Sequence, residues 1–204
     1  MDHDRVRGIV LPGALPAAFE SACLIRCADV GRPLGALAEF DEKDAAVRLS
    51  ALLTDLGFAA AREVRTGGGR RQYHLERVSV LEPQRPAADR TMAAGWHQGR
   101  LVLLHAEALG ASALRAQRRT ALAQAAWRAA LLAGGRRRRA GQLCVRLRDH
   151  EMAAMLVRAA RLIGVAAQVT NRPGCLAVTV DASSLVRLSS LDSALTSRTS
   201  SPPR

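Results

Sequence analysis

Residues 142–180, QLCVRLRDHEMAAMLVRAARLIGVAAQVTNRPGCLAVTV, decide the fold of this 204-residue chain. The segment opens with alternating apolar residues, which are typical of a strand with one buried face. Asp149 then stands where its carboxylate can accept hydrogen bonds from the free amides of a helix's first turn. The helix that follows ends at Gly164, since glycine adopts the left-handed conformation most easily. Two strands flank the turn at Arg172–Gly174, so the segment predicts a β-α-β-β unit.

The same unit occurs earlier in the chain, over residues 36–78. There Asp41 is the candidate N-cap, and Gly57 ends the helix 107 positions before Gly164. Each helix carries one apolar stripe at helical spacing. The stripes are Ala45, Leu49, Leu52, Leu53 and Leu56 in the first copy, and Met152, Leu156, Ala159, Leu162 and Ile163 in the second. The chain therefore contains two copies of one supersecondary unit.

A further helix is predicted ahead of each copy, over residues 15–28 and 117–133. Each copy then has the order α-β-α-β-β, and the second adds a helix that starts at Asp181. A duplicated unit of this kind pairs two small sheets about a pseudo-two-fold axis, so the predicted fold class is α+β. We assign residues 1–110 to the first repeat and its connector, 111–192 to the second repeat, and 193–204 to a disordered Ser/Thr/Pro-rich tail.

Two segments of the second half carry a family resemblance: AAWRAALLAGG at 125–135 and HEMAAMLVRAARLIGVAAQVTNRPGCLAVTVDASSLVRL at 150–188. They resemble the WhiA family of bacterial transcription regulators of sporulation and cell division. Residues 36–78 resemble the family's first repeat more weakly. The resemblance implies two LAGLIDADG-like repeats, as in homing endonucleases, joined to a C-terminal helix-turn-helix domain. It also implies a functional link to WhiB-like iron–sulfur regulators.

Two features depart from the family pattern. After Leu191 the chain reads DSALTSRTSSPPR, without a counterpart of the helix-turn-helix domain, which indicates a truncated, divergent or mispredicted member. A LAGLIDADG nuclease also needs an acid at the foot of each of two packed helices to hold divalent metal. The second helix ends in Ala133–Gly135 and arginine, and the first offers only Asp29. We therefore expect no catalytic residue, metal site, cofactor or enzymatic activity.

The charge of the chain is unevenly distributed. The formal net charge is +12 and the pI is near 11.3, which favours a polyanionic partner. Residues 1–102 hold 14 basic and 13 acidic side chains, whereas residues 103–204 hold 16 and 5. Only Lys43 is a lysine, and enrichment in Arg and Ala also arises in a GC-rich gene without selection for DNA binding. That explanation stays open beside the DNA-binding one.

The candidate DNA contacts are eight arginines of the second half, whose guanidinium groups suit phosphate. They are Arg118 and Arg119 on the helix, Arg136, Arg137, Arg138 and Arg139 in the predicted helix-to-strand connection, and Arg146 and Arg148 on the next strand. No pattern here reads bases, so we expect weak binding with little sequence preference. The alternatives are a protein–protein interaction scaffold, or a truncated remnant with no DNA binding of its own.

Other function classes lack their characteristic residues. The sequence contains no long uncharged apolar run and begins with a poor signal peptide, so we expect a cytoplasmic protein without a membrane span. The glycine-rich stretch at 66–71 lacks the Lys-Ser/Thr pair of a phosphate-binding loop. We expect Trp127 to be a core anchor and the cysteines to be buried free thiols: Cys23, Cys27, Cys144 and Cys175. Glu63 and Glu76 could face each other across the first hairpin, although charge pairs on strands are usually solvated.

Overall fold

The computed structural model describes residues 10–28, 35–67, 73–104, 112–134, 137–139 and 141–184. The helices in these ranges are α1 Leu15–Cys27, α2 Lys43–Asp55, α3 Arg85–Leu104, α4 Ala113–Ala133 and α5 His150–Leu162. The strands are β1 Ala38–Phe40, β2 Ala60–Gly67, β3 Tyr73–Val80, β4 Arg137–Arg139, β5 Gln142–Leu147, β6 Ala167–Arg172 and β7 Cys175–Asp181. The helix expected after Asp181 is a 3-10 turn at Ala182–Ser184 as far as the chain is described. The predicted tail at 193–204 lies outside the described residues.

The strands form two antiparallel sheets, one in each copy of the repeat. Their strand orders are β1-β3-β2 and β4-β5-β7-β6. Val78 in the middle of β3 lies level with Ala38 and Arg62, and Val178 in the middle of β7 lies level with Val145 and Val169. The two sheets therefore share one three-strand register, which confirms the α+β class and the duplicated unit.

Strand β4 corrects the expectation that Arg136–Arg139 form the connection from helix to strand. Residues Arg137–Arg139 pair antiparallel with β5, and Arg139 lies level with Gln142. The reversal between them includes Gly141, whose φ of +75° suits a two-residue hairpin. An arginine run gives no alternation of apolar and polar residues, so the sequence pattern did not reveal this strand.

Helices α1 and α4 pack directly against each other, while α2 and α5 cover one face of the first and second sheet respectively. Helix α4 is rich in fully buried alanines, including Ala123, Ala126 and Ala130. Short side chains let two helix axes approach closely. Trp127 is fully buried, and its Nε1 donates to the Leu156 carbonyl at 3.1 Å, which confirms its role as a core anchor.

Helix α3 was not predicted from the sequence, because glycine and alanine occupy much of its buried stripe. A Cβ at Gly99 would lie 2.2 Å from Cδ2 of Phe19, and one at Gly95 would lie 2.8 Å from the backbone of Ala18. These glycines let α3 lie against α1. Trp96 fills the space beside them and stacks on Phe19, with ring centroids 5.9 Å apart.

The helix ends confirm most of the predicted signals. Asp149 is the N-cap of α5 and accepts from the Met152 amide at 3.1 Å. Gly57 and Gly164 have φ of +85° and +72°, as expected for residues that follow helix C-termini. Asp41 is wrong as the cap of α2, because the helix begins later and Glu42 occupies the N-cap position without a side-chain hydrogen bond.

The cysteines are only partly as predicted. Cys23 and Cys27 are free and buried, and burial raises the pKa of both thiols. Cys144 and Cys175 are free but half-exposed, because each lies on the face of the second sheet that α5 does not cover.

A buried carboxylate joins the two copies. Glu20 on α1 is 2% exposed and receives an arginine fork from each side. Arg48 on α2 donates at 2.7 and 2.9 Å, and Arg128 on α4 donates at 2.8 and 2.6 Å. Burial alone would raise the pKa of Glu20, but the hydrogen bonds and charges of Arg128 and Arg48 outweigh it and lower the pKa. The ionised Glu20 therefore ties three helices together.

Replacing Glu20 by Gln should lower the free energy of unfolding at pH 7 by about 3–5 kcal/mol, because two partly buried guanidinium groups lose their counter-charge. Since folding lowers the pKa of Glu20, its contribution is present above the unfolded pKa of about 4.3 and is lost as pH falls through the folded value. Urea unfolding between pH 7 and pH 2 measures this, with the exposed Glu82→Gln as the control. A deficit in E20Q that stays constant down to pH 2 would contradict the ion-pair account.

Candidate nucleic-acid interface

Each sheet has one face covered by a helix and an opposite face that we call the open face. In β5, Leu143, Val145 and Leu147 are buried on the covered side, while Gln142 and Arg146 are exposed on the open side. The registers extend this division across both sheets. The open face of the second sheet comprises Gln142, Cys144, Arg146, Gln168, Thr170, Arg172, Cys175, Ala177, Thr179 and Asp181, and that of the first comprises Glu39, Ala61, Glu63, Arg65, Leu75, Arg77 and Ser79.

The central rows of the two open faces carry opposite charge. In the first sheet Glu39, Arg77 and Glu63 lie level with one another across β1, β3 and β2. The corresponding row of the second sheet is Arg146, Ala177 and Thr170 across β5, β7 and β6. The shared register makes Arg146 the counterpart of Glu39. The formal side-chain charges therefore sum to −1 in the row of the first sheet and to +1 in the row of the second.

Ion pairs neutralise the arginines of the first open face. Arg77 Nε lies 3.7 Å from Glu39 Oε1, and Arg65 Nη1 lies 4.0 Å from the same oxygen. Glu63 faces Arg77 across the strands, and Glu76 lies level with Val64. The pairing of Glu63 with Glu76 does not occur because the hairpin register is offset by one residue, which places the two glutamates on opposite faces.

The second open face retains its positive charge. Arg146 and Arg172 are exposed on its strands, and Arg148, just beyond β5, is exposed as well. Among the described residues of this face the one acid is Asp181, at the end of β7, where hydrogen bonds from Ser183 lower its pKa. Arg172 was missed from the sequence, although its period-two spacing from Gln168 and Thr170 along β6 is the signal that marks it.

The register divides the arginine run between the two faces. Position 137 is level with Cys144 and position 139 with Gln142, both on the open face, while position 138 is level with the buried Leu143. Residues that lie level in a sheet belong to the same face. Positions 137 and 139 are thus in register with the open face, and position 138 with the covered one. Arg136 lies outside the described residues.

Arg118 and Arg119 are separated from the open face by most of the length of α4. The Arg146 amide donates to the carbonyl of Gly134 at the C-terminal end of α4, at 2.7 Å. Arg118 and Arg119 lie 15 or 16 residues back along that helix, which is about 24 Å at 1.5 Å per residue. The structure therefore brings Arg137, Arg139, Arg146 and Arg148 to one region and leaves Arg118 and Arg119 elsewhere.

The feet of the two central helices carry no carboxylate in the described part of the chain. Helix α1 is followed by Ala28, and α4 is followed by Gly134. A Cβ at Gly134 would lie 2.4 Å from Cγ1 of Val145 and 2.7 Å from the Ala130 carbonyl oxygen. The contact between α4 and β5 thus leaves no room for any side chain. Asp29 lies outside the described residues, and the described residues contain no group of three potential metal ligands.

Two acids near these feet are already engaged by arginines. Arg26, in the last turn of α1, pairs with Asp149 and lies 3.5 Å from Glu151, while its guanidinium carbon stands 4.0 Å above the Trp96 ring. Arg100 on α3 pairs with Glu151 at 2.5 Å. The network holds the start of α5 against the end of α1 and leaves these carboxylates committed to structure.

Comparison with known proteins finds the same fold in solved structures. The crystal structure of full-length DUF199/WhiA from Thermatoga maritima matches with a TM-score of 0.56 and 12% identity, covering 96% of this chain and 65% of that one. The N-terminal LAGLIDADG domain of DUF199/WhiA matches with a TM-score of 0.55 and 15% identity, covering 89% and 84%. The chain has a WhiA-like LAGLIDADG fold. It spans less than two thirds of the full-length WhiA chain.

No protein-family model matches the sequence, and no curated protein matches it. The resemblance to WhiA is therefore confirmed at the level of the fold. Within the described residues, no helix is long and apolar enough to cross a membrane.

Replacing Gly134 by Ala should destabilise the protein by about 1–3 kcal/mol, because the added methyl group overlaps Val145 and the Ala130 carbonyl. Gly13→Ala is the matched control, since a Cβ there meets nothing within 4 Å. Thermal and urea unfolding of both variants measure the difference. Equal stability of G134A and G13A would show that the foot of α4 does accept a side chain.

Proposed function

We propose that this protein is a non-catalytic, WhiA-like DNA-associated module of a transcription regulator, which contacts the phosphate backbone through the open face of its second sheet. The contacting residues in this proposal are Arg146, Arg148 and Arg172, together with Arg137 and Arg139 of the adjoining strand β4. The observation that carries the proposal is the row of Arg146, Ala177 and Thr170, which replaces the acidic row of the first sheet.

The physical chemistry of this face suits phosphate and not base recognition. Each guanidinium that neutralises a phosphate releases condensed counterions, which gives affinity that depends on salt and is independent of sequence. Specific reading of bases needs side chains that match the hydrogen-bonding pattern of the groove, and apart from Gln142 and Gln168 the rest of this face is short: Cys144, Thr170, Cys175, Ala177, Thr179 and Asp181. The proposed binding is therefore weak, with little sequence preference.

The absence of catalysis is part of the proposal. Its support is steric and electrostatic: Gly134 admits no side chain, and Asp149 and Glu151 are held by Arg26 and Arg100. The proposed role in sporulation and cell division, and the cytoplasmic location that goes with bacterial DNA, rest on the resemblance to WhiA.

A second candidate function is a protein–protein interaction scaffold, with a WhiB-like regulator as the partner that the family resemblance implies. The observation that favours it is the first open face, where acids and arginines alternate and a phosphate backbone finds no net positive charge. Surfaces of mixed charge suit a complementary protein surface.

Removing Arg146 and Arg172 together should flatten the salt dependence of duplex binding. If each side chain neutralises one phosphate, the slope of log affinity against log salt should fall by about 1.8. Fluorescence anisotropy of the full chain on a random-sequence duplex measures the slope. Arg115→Ala, which removes an exposed arginine at the far end of α4, is the matched control. If R146A/R172A and R115A give the same slope, the open face does not bind phosphate and the scaffold function is favoured.

The protein should leave supercoiled plasmid intact in the presence of Mg²⁺ or Mn²⁺, because no pair of acids stands at the feet of α1 and α4 in the described chain. Gel analysis of plasmid nicking over several hours checks this. Nicking that is abolished by Asp29→Asn would overturn the non-catalytic assignment, whereas nicking unchanged in that variant would indicate a contaminating nuclease.

A further inference from the structure

We propose that Glu39 is a specificity-determining residue that keeps the first open face off nucleic acid, so that this chain grips a duplex through its second sheet alone. The inference rests on the proposed function and adds to it a residue that limits the extent of contact. Each of the two sheets has an open face, so a carboxylate that disfavours phosphate on one of them leaves the other to carry the contact.

The position of Glu39 gives it control over two arginines. Its carboxylate lies in the centre of β1, the residue is 5% exposed, and the same oxygen approaches both Arg77 and Arg65. A carboxylate that is largely removed from water interacts with neighbouring charges more strongly than one in solvent. Its negative charge therefore offsets the field that Arg77 and Arg65 would otherwise present to a phosphate.

Glu63 reinforces the effect from the other side of the row. It lies level with Arg77 across β2 and β3, so the guanidinium of Arg77 stands between two carboxylates. Phosphate approaching this row meets two negative charges and one positive charge. Like charges brought together at an interface disfavour binding.

In the second sheet, the position equivalent to Glu39 carries no acid. Arg146 occupies the place of Glu39, Thr170 that of Glu63 and Ala177 that of Arg77, while Arg172 is the counterpart of Arg65. One outward arginine is thus common to both sheets, and the central row decides whether the face is balanced or positive. Glu39 and Arg146 occupy equivalent positions in the two repeats, so the formal charge at this position differs by two units between the sheets.

Replacing Glu39 by Gln should strengthen duplex binding and steepen its salt dependence. The variant keeps the shape of the side chain but removes the negative charge that offsets Arg65 and Arg77. We therefore expect these arginines to neutralise one to two additional phosphates. For each of them the ratio of affinities at 50 and 200 mM salt should rise about threefold. Asp55→Asn is the matched control, because Asp55 is exposed at the end of α2, on the covered side of the same sheet.

Further variants separate the possible outcomes. Glu63→Gln changes an exposed strand residue without loss of a buried group and should give a smaller increase, which keeps the test valid if E39Q folds poorly. The double variant E39Q/R77A should lose part of the gain. If R146A/R172A weakens binding while E39Q and E63Q match D55N, the inference about Glu39 is wrong and the proposed function stands. If R146A/R172A has no effect and E39Q does not strengthen binding, both are wrong.

Discussion

The close contact between α1 and α4 is the constraint on which the rest of this structure depends. Each helix belongs to one copy of the repeat, so this contact joins the two copies, and the buried alanines of α4 suit close helix packing. Glu20 secures the contact by accepting arginine forks from α2 and α4 at once. Because a buried carboxylate is stable only with such partners, the same interaction that joins the copies also fixes the position of α2 relative to α4.

The same close packing also shapes the feet of the two central helices. A LAGLIDADG nuclease requires room for an acid where each central helix meets its sheet, and here α4 meets β5 through Gly134 with no space for a side chain. Around the foot of α1, Arg26 and Arg100 engage the acids at the start of α5. Packing and ion pairing, which stabilise the fold, thus occupy the feet of α1 and α4 in the described part of the chain.

The two repeats share their backbone register but differ in the charge that it displays. Glu39, Arg77 and Glu63 of the first copy correspond to Arg146, Ala177 and Thr170 of the second. A duplicated scaffold thus offers one positive and one balanced face. Such a division lets two similar surfaces serve different partners, since phosphate needs net positive charge and a protein surface needs a complementary pattern.

The sequence by itself predicted the local features. These are the two repeats, the apolar stripes of α2 and α5, the cap at Asp149, the glycines at 57 and 164, and the concentration of arginine in the second half. These depend on periodicity and on backbone preferences that act over a few residues. Helix α3 was not predicted because glycines occupy the part of its buried stripe that meets Phe19. Strand β4 was not predicted because its arginines show no alternation of apolar and polar residues. Only the tertiary structure decided which arginines share a face, separating Arg118 and Arg119 from Arg146 and adding Arg172. Strand register and helix length set those distances, and both arise from pairing between segments that lie far apart in the chain.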